Sequence, residues 1–175
     1  MRNLFNKIKR EYKNGSMLTK LIYINVGLFL LFETLRVLSF LFQFEISSFL
    51  NALYLPADQQ LLIKQPWTLL SYMFLHSSFL HLLFNMVWLH FGGKIFLQYL
   101  NPKQLLNIYL LGGISGGLLF IIAFNYFPAL QANLSNARAL GASASVLAIV
   151  IAIATYMPNY TVKFPFIGQI KLKHI

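Results

Sequence analysis

Four apolar runs, at roughly 20–42, 72–97, 104–126 and 141–157, constrain this chain more than any other feature. Crossing the hydrocarbon core of a bilayer takes about 20 helical residues, and each run meets or approaches that length. In lipid every backbone N–H and C=O must be satisfied within the protein, so repeated spans of this kind dictate helices. Only 10% of the residues are charged, against about one quarter in soluble domains. A chain of this size cannot hide so much apolar surface in one water-facing core. The expected fold class is therefore all-α, a polytopic transmembrane helical bundle with four visible spans.

The net charge of +10 would suit nucleic acid, but its placement argues against that reading. Arg2, Lys7, Lys9, Arg10, Lys13 and Lys20 crowd the N-terminus, and Lys94, Lys103, Lys163, Lys171 and Lys173 flank apolar runs. Basic residues at span ends set topology and meet anionic headgroups, so the expected partners include membrane lipids and no nucleic acid. The chain divides into a basic arm (1–19), a membrane domain (20–158) and a tail (159–175). The positive-inside rule puts the arm, the turn near Lys94 and Lys103, and the tail in the cytoplasm, and a bacterial cell membrane is the expected location. The first run is about twice the length of a signal-peptide core and has no small-x-small cleavage site after it, so it reads as a retained span. Within it Glu33 and Arg36 lie three apart and can pair on one helix face. The segment 43–66 is long for a connection and is expected to pack on the protein or in the interface.

Polar side chains where lipid should be are the functional signal. His76, Ser77, Ser78, His81 and Asn85 crowd the outer half of the second run. His81 and Asn85, four apart, project from one helical face. The fourth run opens Gly141-Ala142-Ser143-Ala144-Ser145. The second and fourth spans run in the same direction, which allows Ser143 to lie at the depth of His81 and Asn85. A serine beside hydrogen-bond donors in a dry pocket, at a helix start, suits acyl transfer. Other chemistries fail on inventory. No Glu stands near a His as a metalloprotease needs, the single Asp58 cannot form an aspartyl dyad, and without cysteine there is no thiol site. No metal or cofactor is expected. His90 lies on roughly the opposite face to His81 and reads as structural, and His174 belongs to the tail. Gly112, Gly113, Gly116 and Gly117 on the third span form overlapping small-xxx-small pairs, which allow close helix packing.

These motifs resemble the rhomboid intramembrane proteases. The matching string is Trp67, then Phe74-Leu75-His76-Ser77-Ser78-Phe79-Leu80-His81-Leu82-Leu83-Phe84-Asn85, Gly92-Gly93, and Gly141-Ala142-Ser143, over about Trp67 to Pro158. The resemblance implies Ser143 as nucleophile, His81 and Asn85 as oxyanion-stabilising side chains beside the Ser143 N–H, and His76 as a supporting residue. It implies an endopeptidase that cuts transmembrane helices of other proteins near their outer ends.

The resemblance also implies a six-span core whose general base is a histidine on the sixth span, which these residues do not include. The tail from Gln169 reads as the approach to a fifth span. His174 cannot replace the base, because the fourth span alone separates it from Ser143 by roughly 20 Å. The 175-residue chain by itself is therefore expected not to cleave. Thr68, Ala144 and Leu147 stand where the family often has Arg, Gly and an aromatic residue. Two other readings compete: a non-catalytic rhomboid-like protein that binds transmembrane clients, and an unrelated small transporter with Glu33, Arg36 and His81 along its path.

Overall fold

The structure, a computed structural model, describes Asn6, Tyr12, residues 15–164 and residues 168–174. Arg2, Lys7, Lys9, Arg10 and Lys13 of the basic arm lie outside the described residues. Among the described residues, three helices are long and apolar enough to cross a membrane: α1 (Met17–Phe42), α5 (Phe79–Tyr99) and α6 (Pro102–Tyr126). Between α1 and α5 the chain forms α2 (Ser47–Asn51), β1 (Leu55–Pro56), α3 (Gln59–Lys64), α4 (Thr68–Ser71) and a 3-10 turn at Tyr72–Phe74. After α6 come α7 (Pro128–Gln131), β2 (Arg138–Ala139) and α8 (Ser143–Tyr156), then the antiparallel hairpin of β3 (Thr161–Phe164) and β4 (Gly168–Lys171).

Each long helix starts where its sequence supplies a cap. Ser16 accepts from the Thr19 N–H ahead of α1, and Ser78 accepts from the His81 N–H ahead of α5. Asn101 and Gln104 form a reciprocal capping box at α6, with Pro102 in the first turn, where its missing N–H costs nothing. The second span thus begins at Phe79, not Tyr72. Leu75 is extended, and the Ser78 cap fixes the first helical turn after it.

The fourth run departs further from expectation. It forms a helix of only 14 residues, about 21 Å long at 1.5 Å per residue, too short to cross the hydrocarbon core unaided. Gly141, with φ of +124°, turns the chain immediately before it, and Pro158 follows its end. The tail is a β-hairpin whose Val162 and the following Leu172 are buried.

The short α8 is seated chiefly between α6 and α5. A Cβ placed on Gly112 would lie 2.2 Å from the Ala148 Cβ, and one on Gly116 would lie 2.3 Å from the Ala144 Cβ. The glycine ladder read from the sequence is thus the surface on which α8 lies. On the other side Gly92 of α5 faces Val150, and Gly93 faces Leu18 of α1. The remaining helix surface is apolar and exposed, as at Leu30, Phe40, Leu111 and Leu119, which suits lipid as the surrounding solvent.

The 43–66 segment packs on the protein. Trp67 Nε1 donates to the Ala52 carbonyl at 2.8 Å, and Ser71 Oγ to the Leu53 carbonyl at 2.7 Å. Asn125 Nδ2 on α6 donates to the Ala57 carbonyl at 2.8 Å, and β1 pairs with β2. Glu33 and Arg36 form an ion pair, and Arg36 also donates to the Tyr54 hydroxyl at 2.9 Å.

Because Gly116 touches Ala144 backbone to methyl, Gly116→Val is expected to lower stability by about 1–3 kcal/mol, the usual range for overpacking. Thermal unfolding in detergent measures it. Gly116→Ala combined with Ala144→Gly should be less destabilised than the sum of the two single changes, since each opens the space the other fills.

Candidate active site

The start of α8 and the first turns of α5 meet. The Ser143 Oγ lies 3.3 Å from His81 Nε2. Asn85, one turn below His81, is buried and donates one amide N–H to the His81 carbonyl at 2.8 Å. The second N–H of that amide remains for the cavity. His81, Phe84, Asn85, Trp88, Ser143, Val146, Leu147 and Val150 line a cavity of about 450 Å³. Its walls are largely apolar, and the serine, the imidazole and the amide stand among its polar groups.

Two serines open α8, and packing separates them. Ser145 is fully buried, with its Oγ 3.9 Å from the Met73 sulfur. Ser143 faces the cavity. No side chain caps α8, and the first N–H groups of a helix have no partner within it. Ser143, as the first residue of α8, therefore stands at the positive end of the helix dipole.

The depth of the site follows from the glycine ladder. Gly116 lies level with Ala144, beside Ser143, and α6 continues from there to Tyr126. Ten more residues carry α6 about 15 Å beyond the serine. The short α8 therefore starts well below the end of its neighbour, and the chain from Phe127 to Ala142 descends to reach it.

Gly141 makes this descent possible. Its φ of +124° lies in a region closed to most side chains. A Cβ there would also sit 2.6 Å from Cε1 and 2.7 Å from Nε2 of His81. Its N–H donates to the Tyr72 carbonyl at 2.9 Å, which ties the start of α8 to the 3-10 turn. That turn is held in its own right: the Tyr109 hydroxyl donates to the Met73 carbonyl and accepts from Asn25 Nδ2, each at 3.1 Å. Asn25 and Tyr109 are fully buried. In the sequence Asn25 carries no motif around it, being a lone amide in an apolar run. A buried polar side chain in a span is nonetheless a signal in itself.

The remaining residues of the polar cluster have separate places. Ser78 is the N-cap of α5. Ser77 Oγ lies 3.1 Å from His81 Nδ1. His76, in the loop ahead of α5, is only 4% exposed and presents its ring edge-on to His81, 5.1 Å between centroids. Neither of its ring nitrogens has a hydrogen-bond partner of normal geometry. His90 lies away from Ser143, on a second cavity with Lys94 and Gln98, and His174 follows the hairpin.

Burial pushes the His76 imidazole down to about 4, and the neighbouring His81 adds to the shift. The neutral ring is therefore the form the folded loop holds. Its contribution to stability is fully present above the ordinary value of about 6.5 and is lost as pH falls towards 4. Hydrogen-exchange protection of the Leu75–Ser78 amides should be constant at neutral pH and fall across that window, and His76→Asn should flatten the fall. Gly141→Ala should combine positive-φ strain with a collision at His81. Strain of this kind costs about 1–3 kcal/mol, so the reaction of Ser143 with a fluorophosphonate is expected to slow by about tenfold or more.

A family model, the Rhomboid domain, matches residues 64–172. The match runs from the end of α3 through the hairpin and takes in His76, His81, Asn85, Gly141 and Ser143. Searches of curated proteins and of solved structures gave no match. The matched region is well over half of the chain, and together with the apolar helices it makes this an integral membrane protein: the chain belongs to the rhomboid family.

Proposed function

We propose that the chain carries the nucleophile and oxyanion site of a rhomboid-type serine endopeptidase that cleaves transmembrane segments of other membrane proteins. The observation that carries this reading is the approach of Ser143 Oγ to His81 Nε2, 3.3 Å, at the mouth of an apolar cavity lined also by Asn85. A serine that only packs would be buried as Ser145 is.

In the proposed reaction the Ser143 oxygen attacks a peptide carbonyl and the carbonyl oxygen takes up negative charge. His81 Nε2–H, the free Asn85 N–H and the backbone N–H groups at the start of α8 surround that charge. Donors fixed before the reaction need no reorganisation as the charge develops. The intermediate then collapses: the C–N bond breaks, the amine leaves carrying the proton given up by Ser143, and water hydrolyses the remaining acyl ester to free the serine. The family resemblance assigns the proton transfer to a histidine on a later span. His81 is the imidazole within reach of Ser143 among the described residues, and its place opposite the reacting oxygen suits a donor.

The substrate follows from the surroundings. A helix arriving through lipid is fully hydrogen-bonded and hides its carbonyls. Cleavage requires a segment that unwinds locally, so helix-breaking and small residues near the cut are expected to favour it. Lys20, Lys94 and Lys103 near span ends support a cytoplasmic N-terminus, which would place Ser143 near the outer face.

The test uses the protein expressed from its complete gene in native membranes. A fluorophosphonate should label it, Ser143→Ala should abolish the labelling, and Ser145→Ala should keep it. Asn85→Ala should lower kcat on a transmembrane substrate by about 10²-fold, the usual loss for one oxyanion donor. Absence of Ser143-dependent labelling in folded protein would overturn the protease reading in favour of a client-binding one.

A further inference from the structure

We propose that Ser77 is a positioning residue for His81: its hydroxyl donates to Nδ1, holds the ring proton on Nε2 and so makes His81 a donor towards the oxyanion that forms beside Ser143. This rests on the proposed protease reading.

A neutral imidazole has one N–H and one lone pair. Which nitrogen carries the proton is set by the bond the other one makes. At His81 both nitrogens are engaged from opposite sides, Nε2 by Ser143 Oγ at 3.3 Å and Nδ1 by Ser77 Oγ at 3.1 Å. The partner at Nδ1 therefore decides what Nε2 can do. A carboxylate there would accept from Nδ1–H and leave a lone pair on Nε2, the arrangement of a general base. No described carboxylate is in place for that. Glu33 pairs with Arg36, Glu45 accepts from Ser47 and Ser48, and Asp58 caps α3.

A hydroxyl can accept or donate, and the rest of the reaction selects between the two. As negative charge builds opposite Nε2, the tautomer with Nε2–H is favoured, and the lone pair then falls on Nδ1. Ser77 can turn its proton to meet it. The neighbouring groups are committed elsewhere: Ser78 Oγ accepts from the His81 backbone N–H, the bonded amide N–H of Asn85 goes to the His81 carbonyl, and the His76 ring meets His81 edge-on without a hydrogen bond. Ser77 is four residues ahead of His81 but lies outside α5, before its cap. The loop, and not helical periodicity, carries the hydroxyl over the imidazole. Being exposed, Ser77 can be changed without opening the core.

The experiment reads the tautomer directly. The protein labelled with 15N-histidine is studied in detergent at about pH 8.5, where an imidazole is neutral, and His81→Gln assigns the His81 signals. The expected result is the proton on Nε2 in the unaltered protein and in Ser77→Thr, and a mixture of tautomers in Ser77→Ala. Turnover of a transmembrane substrate by Ser77→Ala should show kcat lowered about fivefold, the scale of one neutral hydrogen bond, with KM unchanged and recovery in Ser77→Thr. A proton on Nδ1 in the unaltered protein, or a His81 spectrum indifferent to Ser77→Ala, would overturn the proposal. The spectrum needs no activity, so the two readings fail separately. The expected tautomers without Ser143-dependent labelling would support the positioning role and overturn the protease; labelling with an indifferent spectrum would do the reverse.

Discussion

The close approach of α6 and α8 is the constraint on which the rest of the structure depends. In lipid, apolar side chains gain little by leaving their solvent, so helices associate through packing and hydrogen bonds between them. Gly112 and Gly116 give α8 a surface on which Ala148 and Ala144 lie in contact with backbone. That contact fixes the level of α8 against α6, and with it the depth of Ser143. It is also what allows a helix of 14 residues, too short to cross by itself, to stand in the middle of the bundle.

A short central helix creates an electrostatic difficulty as well as a site. Its first N–H groups, the Gly141 turn and the loop ahead of α5 all lie below the end of α6. Unpaired polar groups at that depth would be costly. The structure answers with bonds that cross between elements: Gly141 N–H to the Tyr72 carbonyl, Tyr109 to the Met73 carbonyl, and Asn25 to Tyr109. These bonds hold the 3-10 turn against α1, α6 and the start of α8 together. The first N–H groups of α8 have no partner within the helix, and in the proposed reaction they are available to the developing oxyanion.

Much of this was legible in the chain. Apolar run length gave the long helices, because backbone satisfaction in lipid leaves no alternative. The four-residue spacing of His81 and Asn85 placed both on one face, and the glycine spacing on the third span identified a packing surface. Hydropathy starts the second span seven residues before the helix does, at Tyr72 and not Phe79, because Tyr72 to Leu75 is as apolar as the helix that follows and hydropathy does not register a change of backbone conformation. For the same reason hydropathy alone gives the fourth run the length of a full span, where the structure has a helix of 14 residues. Asn25 and Ser77 were not assigned roles, since their partners are Tyr109, 84 residues away, and a ring that only a loop conformation brings near.

The sequence by itself determined the solvent of this protein, its helical class and the residue types available for chemistry. These follow from local composition and period, which act along the chain. The tertiary structure alone decided that Ser143 and not Ser145 faces the cavity, how far below the end of α6 the serine lies, and which atom each nitrogen of His81 meets. Those are distances between segments far apart in the chain. They are set by which Cβ atoms collide and which buried polar groups find partners, and neither can be read from one segment at a time.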